Sequence, residues 1–287
     1  MKIFSLLILL ASTQVNGQYS DSVARMMLSM SAAAYSDHPE DCVATVFSKG
    51  ILIRKVSAIC DITNKAECTG FTAIDKDSKI IIVAFRGTNG FAQLALEAVG
   101  EIFGDPIDFI SGGGVSPYFN AAFDSVWHAG LKDSFLTLKN TYPTYKVHIT
   151  GHSLGGAMAS LCAATIAKSG YVTNNDMITL YTYGQPRTGN TEYVAGFDSL
   201  AITDVYRVTH ARDLVPHLPP GNLKGYTHHR TEVWYNDDMT AGSKFKICAG
   251  DETKKCSESL TFTTSVADHL HYFDVDVNDF GLAGCKQ

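Results

Sequence analysis

Apolar residues recur along the chain with two different periods, and these separate the predicted strands from the predicted helices. Short alternating or β-branched runs are typical of strands, and residues 79–85 are apolar at nearly every position, which indicates a central strand buried on both faces. Helical spacing marks 21–35 and 118–142, and small apolar residues favour a helix over 156–168. The remaining predicted strands are 51–59, 71–75, 145–150, 177–183, 204–209 and 226–235.

Strands that alternate with helices favour an α/β fold, with a mostly parallel central sheet flanked by helices. In such a sheet the functional residues lie at the carboxyl ends of the strands. The 287 residues are 45% hydrophobic, which suffices for a sizeable core, and no linker, repeat or low-complexity stretch divides them. We therefore expect residues 18–287 to form one domain.

Residues 1–17 have the pattern of a secretory signal peptide. Lys2 precedes an apolar run from Ile3 to Ala11, and small residues lead up to Gly17. The run is too short to span a bilayer, and no other run is long enough to do so. We expect cleavage near Gly17, a secreted and extracellular protein, and no transmembrane segment.

The charge of the chain restricts its partners. The formal net charge is −6, and the basic residues form no cluster. This balance argues against nucleic acid as a partner and against electrostatic docking on anionic membranes.

Seven cysteines in a secreted chain suggest three disulfides and one free thiol. Two pairs flank short polar loops, a third pair lies towards the two ends of the chain, and the seventh cysteine lies inside the predicted helix 156–168. Spacing alone leaves other pairings open. The predicted disulfides are Cys42–Cys285, Cys60–Cys68 and Cys248–Cys256, with Cys162 as a buried thiol.

The stretch Gly151-His152-Ser153-Leu154-Gly155 lies between the predicted strand 145–150 and the predicted helix 156–168. A serine between two glycines at such a junction is typical of a nucleophile elbow, in which a strained turn projects the hydroxyl above the sheet. A glycine-rich turn without chemistry is the alternative. Ser153 is therefore the candidate nucleophile.

A serine nucleophile needs a base and an orienting acid, which on such sheets follow in the order Ser, Asp, His. Asp213 lies four residues beyond the predicted strand 204–209, in a loop stiffened by prolines. His269 and His271 near the C-terminus follow this acid in the chain and are the candidates for the base. Their spacing also suggests a metal, but no third ligand lies at a convincing distance along the chain, so we expect neither metal nor cofactor.

An oxyanion hole and a lid complete the predicted site. One oxyanion donor commonly follows the nucleophile, here the amide of Leu154, and the other follows an earlier strand, here the amide of Thr88. Residues 91–103 are apolar over most of a helical circumference between two glycines, which favours either a core helix or a hinged lid. The candidate lid residues are Phe91, Leu94, Leu96 and Val99.

Taken together, several motifs resemble the secreted fungal-type (class 3) lipases of the α/β-hydrolase fold, over about residues 42–285. The resemblance implies that His269, not His271, is the base, supports Thr88 as the oxyanion residue, and places the lid over about 89–103. The tryptophan common in the lids of this family is absent here. The motifs are Phe85-Arg86-Gly87-Thr88, Gly151-His152-Ser153-Leu154-Gly155-Gly156, Tyr183-Gly184-Gln185-Pro186-Arg187-Thr188-Gly189-Asn190, His210…Asp213…Val215-Pro216 and Asp268-His269-Leu270…Tyr272-Phe273.

We therefore predict a serine carboxylic-ester hydrolase that acts through an acyl-enzyme. The leading interpretation is a monomeric triacylglycerol lipase acting on ester lipid at an oil–water interface. A feruloyl-type or general carboxylesterase and a phospholipase are alternatives on the same framework. A non-catalytic lipid-binding protein is an alternative of another class, but all three triad residues are present.

Overall fold

The computed structural model describes residues 18–60, 67–88, 99–221 and 223–286. The predicted signal peptide, residues 1–17, lies outside them. In chain order the strands are β1 (Gly50–Ile59), β2 (Glu67–Asp75), β3 (Ile80–Phe85), β4 (Ile107–Asp108), β5 (Gly114–Val115), β6 (Lys146–His152), β7 (Ile178–Tyr183), β8 (Gly189–Asn190), β9 (Asp204–His210), β10 (Tyr226–Thr227), β11 (Glu232–Tyr235), β12 (Lys246–Cys248), β13 (His271–Tyr272) and β14 (Val275–Asp276). The helices are α1 (Asp21–Ala33), α2 (Pro39–Val46), α3 (Val99–Ile102), α4 (Pro117–Val126), α5 (Lys132–Thr141), α6 (Leu154–Lys168), α7 (Thr191–Ser199), α8 (Val266–Leu270) and α9 (Val277–Leu282).

An eight-stranded sheet in the order β1-β2-β3-β6-β7-β9-β11-β12 forms the centre of the fold. The strands from β3 to β11 run parallel, whereas β1, β2 and β12 are antiparallel at the two edges. The mostly parallel sheet predicted from the sequence is confirmed. A small sheet in the order β10-β8-β5-β4 and the hairpin β13-β14 lie outside it.

Strand β3 shows why the sheet is covered on both faces. All six of its residues are buried, and they alternate between two hydrophobic clusters. Ile82 packs with α1, α2 and α9 on one face, and Val83 packs with α4, α5 and α6 on the other. The near-continuous apolar run is therefore what a strand between two layers of helices requires.

Two predicted elements are interrupted. The predicted helix 118–142 consists of α4 and α5, separated by a wider turn at Trp127–Leu131 in which Gly130 has a φ of 126°. This φ is one that residues with a side chain rarely adopt, so the glycine permits the turn, which lies against the guanidinium of Arg54 in β1.

The predicted strand 226–235 is divided into β10 and β11, which belong to different sheets. Between them, the carbonyl of His229 accepts a hydrogen bond from the Arg207 side chain at 2.7 Å. The imidazole of His228 lies near the carbonyl of Pro216, also at 2.7 Å. At these two residues the polar contacts are made by side chains and not by the backbone of a neighbouring strand. The alternation of apolar and polar residues in the sequence does not reveal this.

The three disulfides are the pairs predicted from the sequence, and Cys162 is a buried free thiol in α6. Cys42–Cys285 joins the start of α2 to the residues after α9, at a sequence separation of 243. Cys60–Cys68 and Cys248–Cys256 each span a separation of 8.

We predict that replacing both Cys42 and Cys285 with alanine lowers the free energy of unfolding more than replacing both Cys60 and Cys68. By lowering the entropy of the unfolded chain, the disulfide stabilises the fold by about 5 kcal/mol for the long loop and by about 2–3 kcal/mol for the short one. Denaturant unfolding of the two double variants measures the difference. Equal losses would contradict this explanation.

Candidate active site

The junction between β6 and α6 forms a tight elbow with Ser153 at its tip. Ser153 has a φ of 61°, a left-handed conformation that a residue with a side chain rarely adopts. A Cβ atom at Gly151 would lie 2.1 Å from the carbonyl oxygen of Gly155, and one at Gly155 would lie 2.3 Å from that of Phe85. Both glycines are therefore required by the close approach of strand and helix.

Ser153, His269 and Asp213 form a continuous chain of hydrogen bonds. His269 Nε2 lies 2.9 Å from Ser153 Oγ, and His269 Nδ1 lies 3.0 Å from each carboxylate oxygen of Asp213. Since a carboxylate only accepts, Nδ1–H donates to it, and Nε2 is left to accept the serine proton. All three residues are buried, with at most 2% of their surfaces exposed.

The helix that carries the histidine is docked directly on the loop that carries the acid. Asp213 pairs with Ser265 through a β-bridge, and the amide of Ser265 donates to the carbonyl of Arg212 at 3.1 Å. Ser265 also caps α8, accepting from the amide of Asp268 at 3.0 Å. These bonds fix the ring of His269 relative to its acid.

The carboxylate of Asp213 is stabilised in its charged form. Tyr272 Oη donates to it at 2.6 Å, and the amide of Val215 donates at 2.8 Å. Burial alone raises the pKa of Asp213, but His269, Tyr272 and the Val215 amide outweigh burial and hold that pKa below its ordinary value. The acid is therefore ionised at neutral pH.

The sequence did not predict a role for two residues of this site, Tyr272 and Gly184. Tyr272 was seen only as part of a motif, without its bond to Asp213. Gly184 follows β7 with a φ of 55°, and a Cβ atom there would lie 2.7 Å from His269 Nδ1 and 2.8 Å from Asp213 Oδ2. A glycine directly beyond a parallel strand is the signal that could have identified it.

His271, the alternative base in the sequence, and three further histidines lie in different contacts. His271 is exposed, and its Nδ1 lies 3.0 Å from the carbonyl of Ala267. His217 pairs with Glu258 at 2.7 Å, and the rings of His228 and His229 lie near backbone carbonyls. Across the described ranges, no group of three or more His, Cys, Asp or Glu side chains is arranged to hold a metal ion.

The residues predicted as oxyanion donors lie at the start of α6 and in the loop after β3. Leu154 is the first residue of α6, so its amide has no acceptor within the helix. The loop after β3 touches the elbow, because a Cβ atom at Gly87 would lie 3.0 Å from Ser153 Cβ. Thr88 follows in this loop.

Most of the predicted lid lies outside the described residues, including Phe91, Leu94 and Leu96. Val99 begins the short helix α3 and packs partly buried against the core, and Phe103 behind it is fully buried. Within the described part of the chain, no helix has the length and apolarity needed to cross a membrane.

The parallel sheet, the strained serine and the hydrogen-bonded Ser-His-Asp chain define a serine hydrolase of the α/β-hydrolase fold. Residues 82–223 match the family model described as Lipase (class 3). A lipase of Caenorhabditis elegans is 35% identical over 302 residues, covering 94% of this chain and 84% of that protein. The chain belongs to the class 3 lipase family.

Fungal proteins are similar in sequence and in structure. The secreted mono- and diacylglycerol lipase 1 of Fusarium solani is 35% identical over 71% of this chain and 59% of its own length. The matched region spans only 52–59% of the fungal relatives in sequence. The structure of Rhizomucor miehei triacylglyceride lipase superposes with a TM-score of 0.76 at 27% identity, covering 91% of this chain and 97% of that one.

The lowered pKa of Asp213 predicts how its contribution to stability depends on pH. A carboxyl group with a depressed folded-state pKa stabilises the fold above its unfolded value of about 4, and this contribution is lost as the pH falls through the lower folded value. The difference in unfolding free energy between the wild type and Asp213→Asn should therefore shrink as the pH falls from 5 to about 2. Denaturant unfolding across this range measures it, and a constant difference would contradict the assignment.

Proposed function

We propose that this chain is a secreted triacylglycerol lipase in which Ser153 is the nucleophile, His269 the general base and Asp213 the orienting acid. The observation that carries the proposal is the continuous hydrogen-bond chain between these three side chains at the carboxyl ends of β6 and β9. The serine must lose a proton to attack, and His269 Nε2 lies at the distance needed to take it.

The geometry supports a two-step ester hydrolysis. Ser153 Oγ attacks the ester carbonyl carbon while His269 Nε2 takes its proton, and Asp213 stabilises the resulting imidazolium. The tetrahedral intermediate collapses to an acyl-enzyme as His269 protonates the leaving alkoxide. Water then attacks the acyl group by the same route, releasing a fatty acid and restoring the serine.

The negative charge that develops on the carbonyl oxygen needs preorganised donors. We assign this role to the amides of Leu154 and Thr88, because Leu154 opens α6 and Thr88 follows the loop packed on the elbow. The N-terminus of α6 adds a favourable field for an anion at this position.

A lipid substrate is supported by the surface around the base and by the relatives. Val266 and Leu270, on the same helix as His269, are 43% and 40% exposed, and nearby Phe262 is 69% exposed. Exposed apolar side chains on and before the helix of the base suit acyl chains better than a polar ester. The Rhizomucor relative is named for triacylglycerides and the Fusarium relative for mono- and diacylglycerols, and esters of glycerol are accordingly the proposed substrates.

The proposal includes secretion and action as a monomer at an oil–water interface. Residues 1–17 have signal-peptide character, the Fusarium relative is named as secreted, and three disulfides suit an oxidising compartment.

Substitution of the triad tests the mechanism. Ser153→Ala should lower kcat on a soluble ester at least about 10⁴-fold, and His269→Ala should be about as severe, because triad members act as a unit. His271→Ala is the matched control and should change kcat by less than about twofold, since its ring is exposed and its Nδ1 lies near the backbone carbonyl of Ala267. A severe loss in His271→Ala with a mild one in His269→Ala would refute the assignment of the base.

The dependence of activity on substrate concentration tests the interface. Activity on a short-chain triglyceride should rise sharply once the substrate exceeds its solubility, because an apolar lid would open onto the lipid surface. Replacing Leu94 and Leu96 with serine should flatten this rise and leave hydrolysis of a monomeric ester unchanged. Smooth saturation through the solubility limit would favour the soluble-ester carboxylesterase instead.

A further inference from the structure

His152, the residue before the nucleophile, uses both ring nitrogens in contacts that the reaction itself does not require. Its Nε2 lies 2.8 Å from the backbone carbonyl oxygen of His269, and its Nδ1 lies 2.8 Å from the hydroxyl of Tyr35. Its ring also stacks on the ring of His269, with centroids 4.6 Å apart and planes 29° apart. His152 is 2% exposed.

The direction of each hydrogen bond follows from the partners. The carbonyl of His269 only accepts, so Nε2–H of His152 must donate to it. Burial, followed by the neighbouring His269, lowers the pKa of His152 to about 3, so the ring is neutral at working pH. Nδ1 of a neutral ring that donates through Nε2 can only accept, and the Tyr35 hydroxyl must donate to it.

The chain of contacts continues to the loop after β3. Burial raises the pKa of Tyr35, and the neighbouring Arg86 and the Gly87 backbone partly offset that rise. A Cβ atom at Gly87 would lie 2.1 Å from Tyr35 Oη and 2.7 Å from the carbonyl oxygen of His152. The loop thus rests directly on Tyr35 and on the elbow.

We propose that Tyr35 and His152 are positioning residues, which link the loop carrying Thr88 to the backbone of His269. This inference rests on the proposed function and adds to it. The nucleophile, the base and the oxyanion loop come from three distant parts of the chain. The link connects them along one path: the Gly87 backbone packs on the Tyr35 hydroxyl, this hydroxyl donates to the His152 ring, and that ring donates to the His269 carbonyl.

The link acts on the transition state more than on substrate binding. A small displacement of His269 or of the oxyanion donors weakens proton transfer and charge stabilisation, which are required only once bonds begin to change. Loss of the link should therefore lower kcat and leave KM on a soluble ester nearly unchanged.

Tyr35→Phe tests this on the full secreted chain with a soluble monomeric ester. We expect kcat to fall about tenfold with KM changed less than about twofold. Tyr193→Phe is the matched control, because it also removes a buried tyrosine hydroxyl, one that lies 2.8 Å from Ser160 Oγ. It should leave both constants within about twofold of the wild type.

A double-mutant cycle distinguishes a shared link from general weakening. His152→Phe keeps an aromatic ring and removes both hydrogen bonds, and it should lower kcat more than Tyr35→Phe does. Adding Tyr35→Phe to it should cost nothing further, whereas adding Tyr193→Phe should act independently. His152→Gln, whose amide can still donate to the His269 carbonyl, should recover part of the lost kcat.

Each outcome of these experiments supports or overturns the proposed link. An unchanged kcat in Tyr35→Phe, or equal losses in Tyr35→Phe and Tyr193→Phe, would overturn the link. Additive losses in the Tyr35/His152 cycle would also overturn it, and if His152→Phe does not fold, the comparison of the two tyrosine variants alone decides. Persistent turnover in Ser153→Ala would instead refute the proposed function, so the two failures are distinguishable.

Discussion

The backbone of β6 meets the backbone of α6 at a distance that leaves no room for side chains, and the site depends on this contact. At Gly151 and Gly155 a single carbon atom would collide with a neighbouring carbonyl oxygen. The turn between them is therefore sharp enough to place Ser153 in a left-handed conformation. Because Gly155 also packs on the end of β3, the same contact fixes the elbow relative to the loop that leads to Thr88.

The second requirement is to keep a carboxylate ionised inside the protein. Removing Asp213 from water is unfavourable, and three donors compensate for it: the Val215 amide from its own loop, and His269 and Tyr272 from the segment of α8 and β13. Gly184 leaves the space in which this arrangement fits. The acid thus remains charged, and it can hold the imidazole in one tautomer and stabilise the imidazolium.

The sequence predicts well those features of the fold and the site that depend on a local pattern of residues. Alternation and apolar runs located seven of the eight strands of the main sheet but not the short edge strand β12. Glycine spacing marked the elbow, and short loops between cysteines indicated two of the disulfides. The breaks at Gly130 and at 228–231 were missed because helical spacing and alternation do not reveal a positive φ at one glycine or a hydrogen bond from the Arg207 side chain. Without the family resemblance, the sequence left His269 and His271 as equal candidates for the base. The docking of α8 on the Asp213 loop is what brings the ring of His269 to Ser153. Tyr35 lacks any local signature, since its hydrogen-bond partner His152 lies 117 residues further along the chain. Gly184 has only its position beyond β7 as a signal, and its contacts with Asp213 and His269 are not local.

The position of α8 near the C-terminal end of the sequence also has a consequence for biosynthesis. Ser153 and the elbow are translated long before the segment that carries His269, and a nascent chain at that stage has a nucleophile without its base. The disulfide between Cys42 and Cys285 also forms only after Cys285 has been synthesised, 243 residues later. The hydrogen-bonded chain of Ser153, His269 and Asp213 is therefore complete only after α8 has been synthesised and docked on the Asp213 loop.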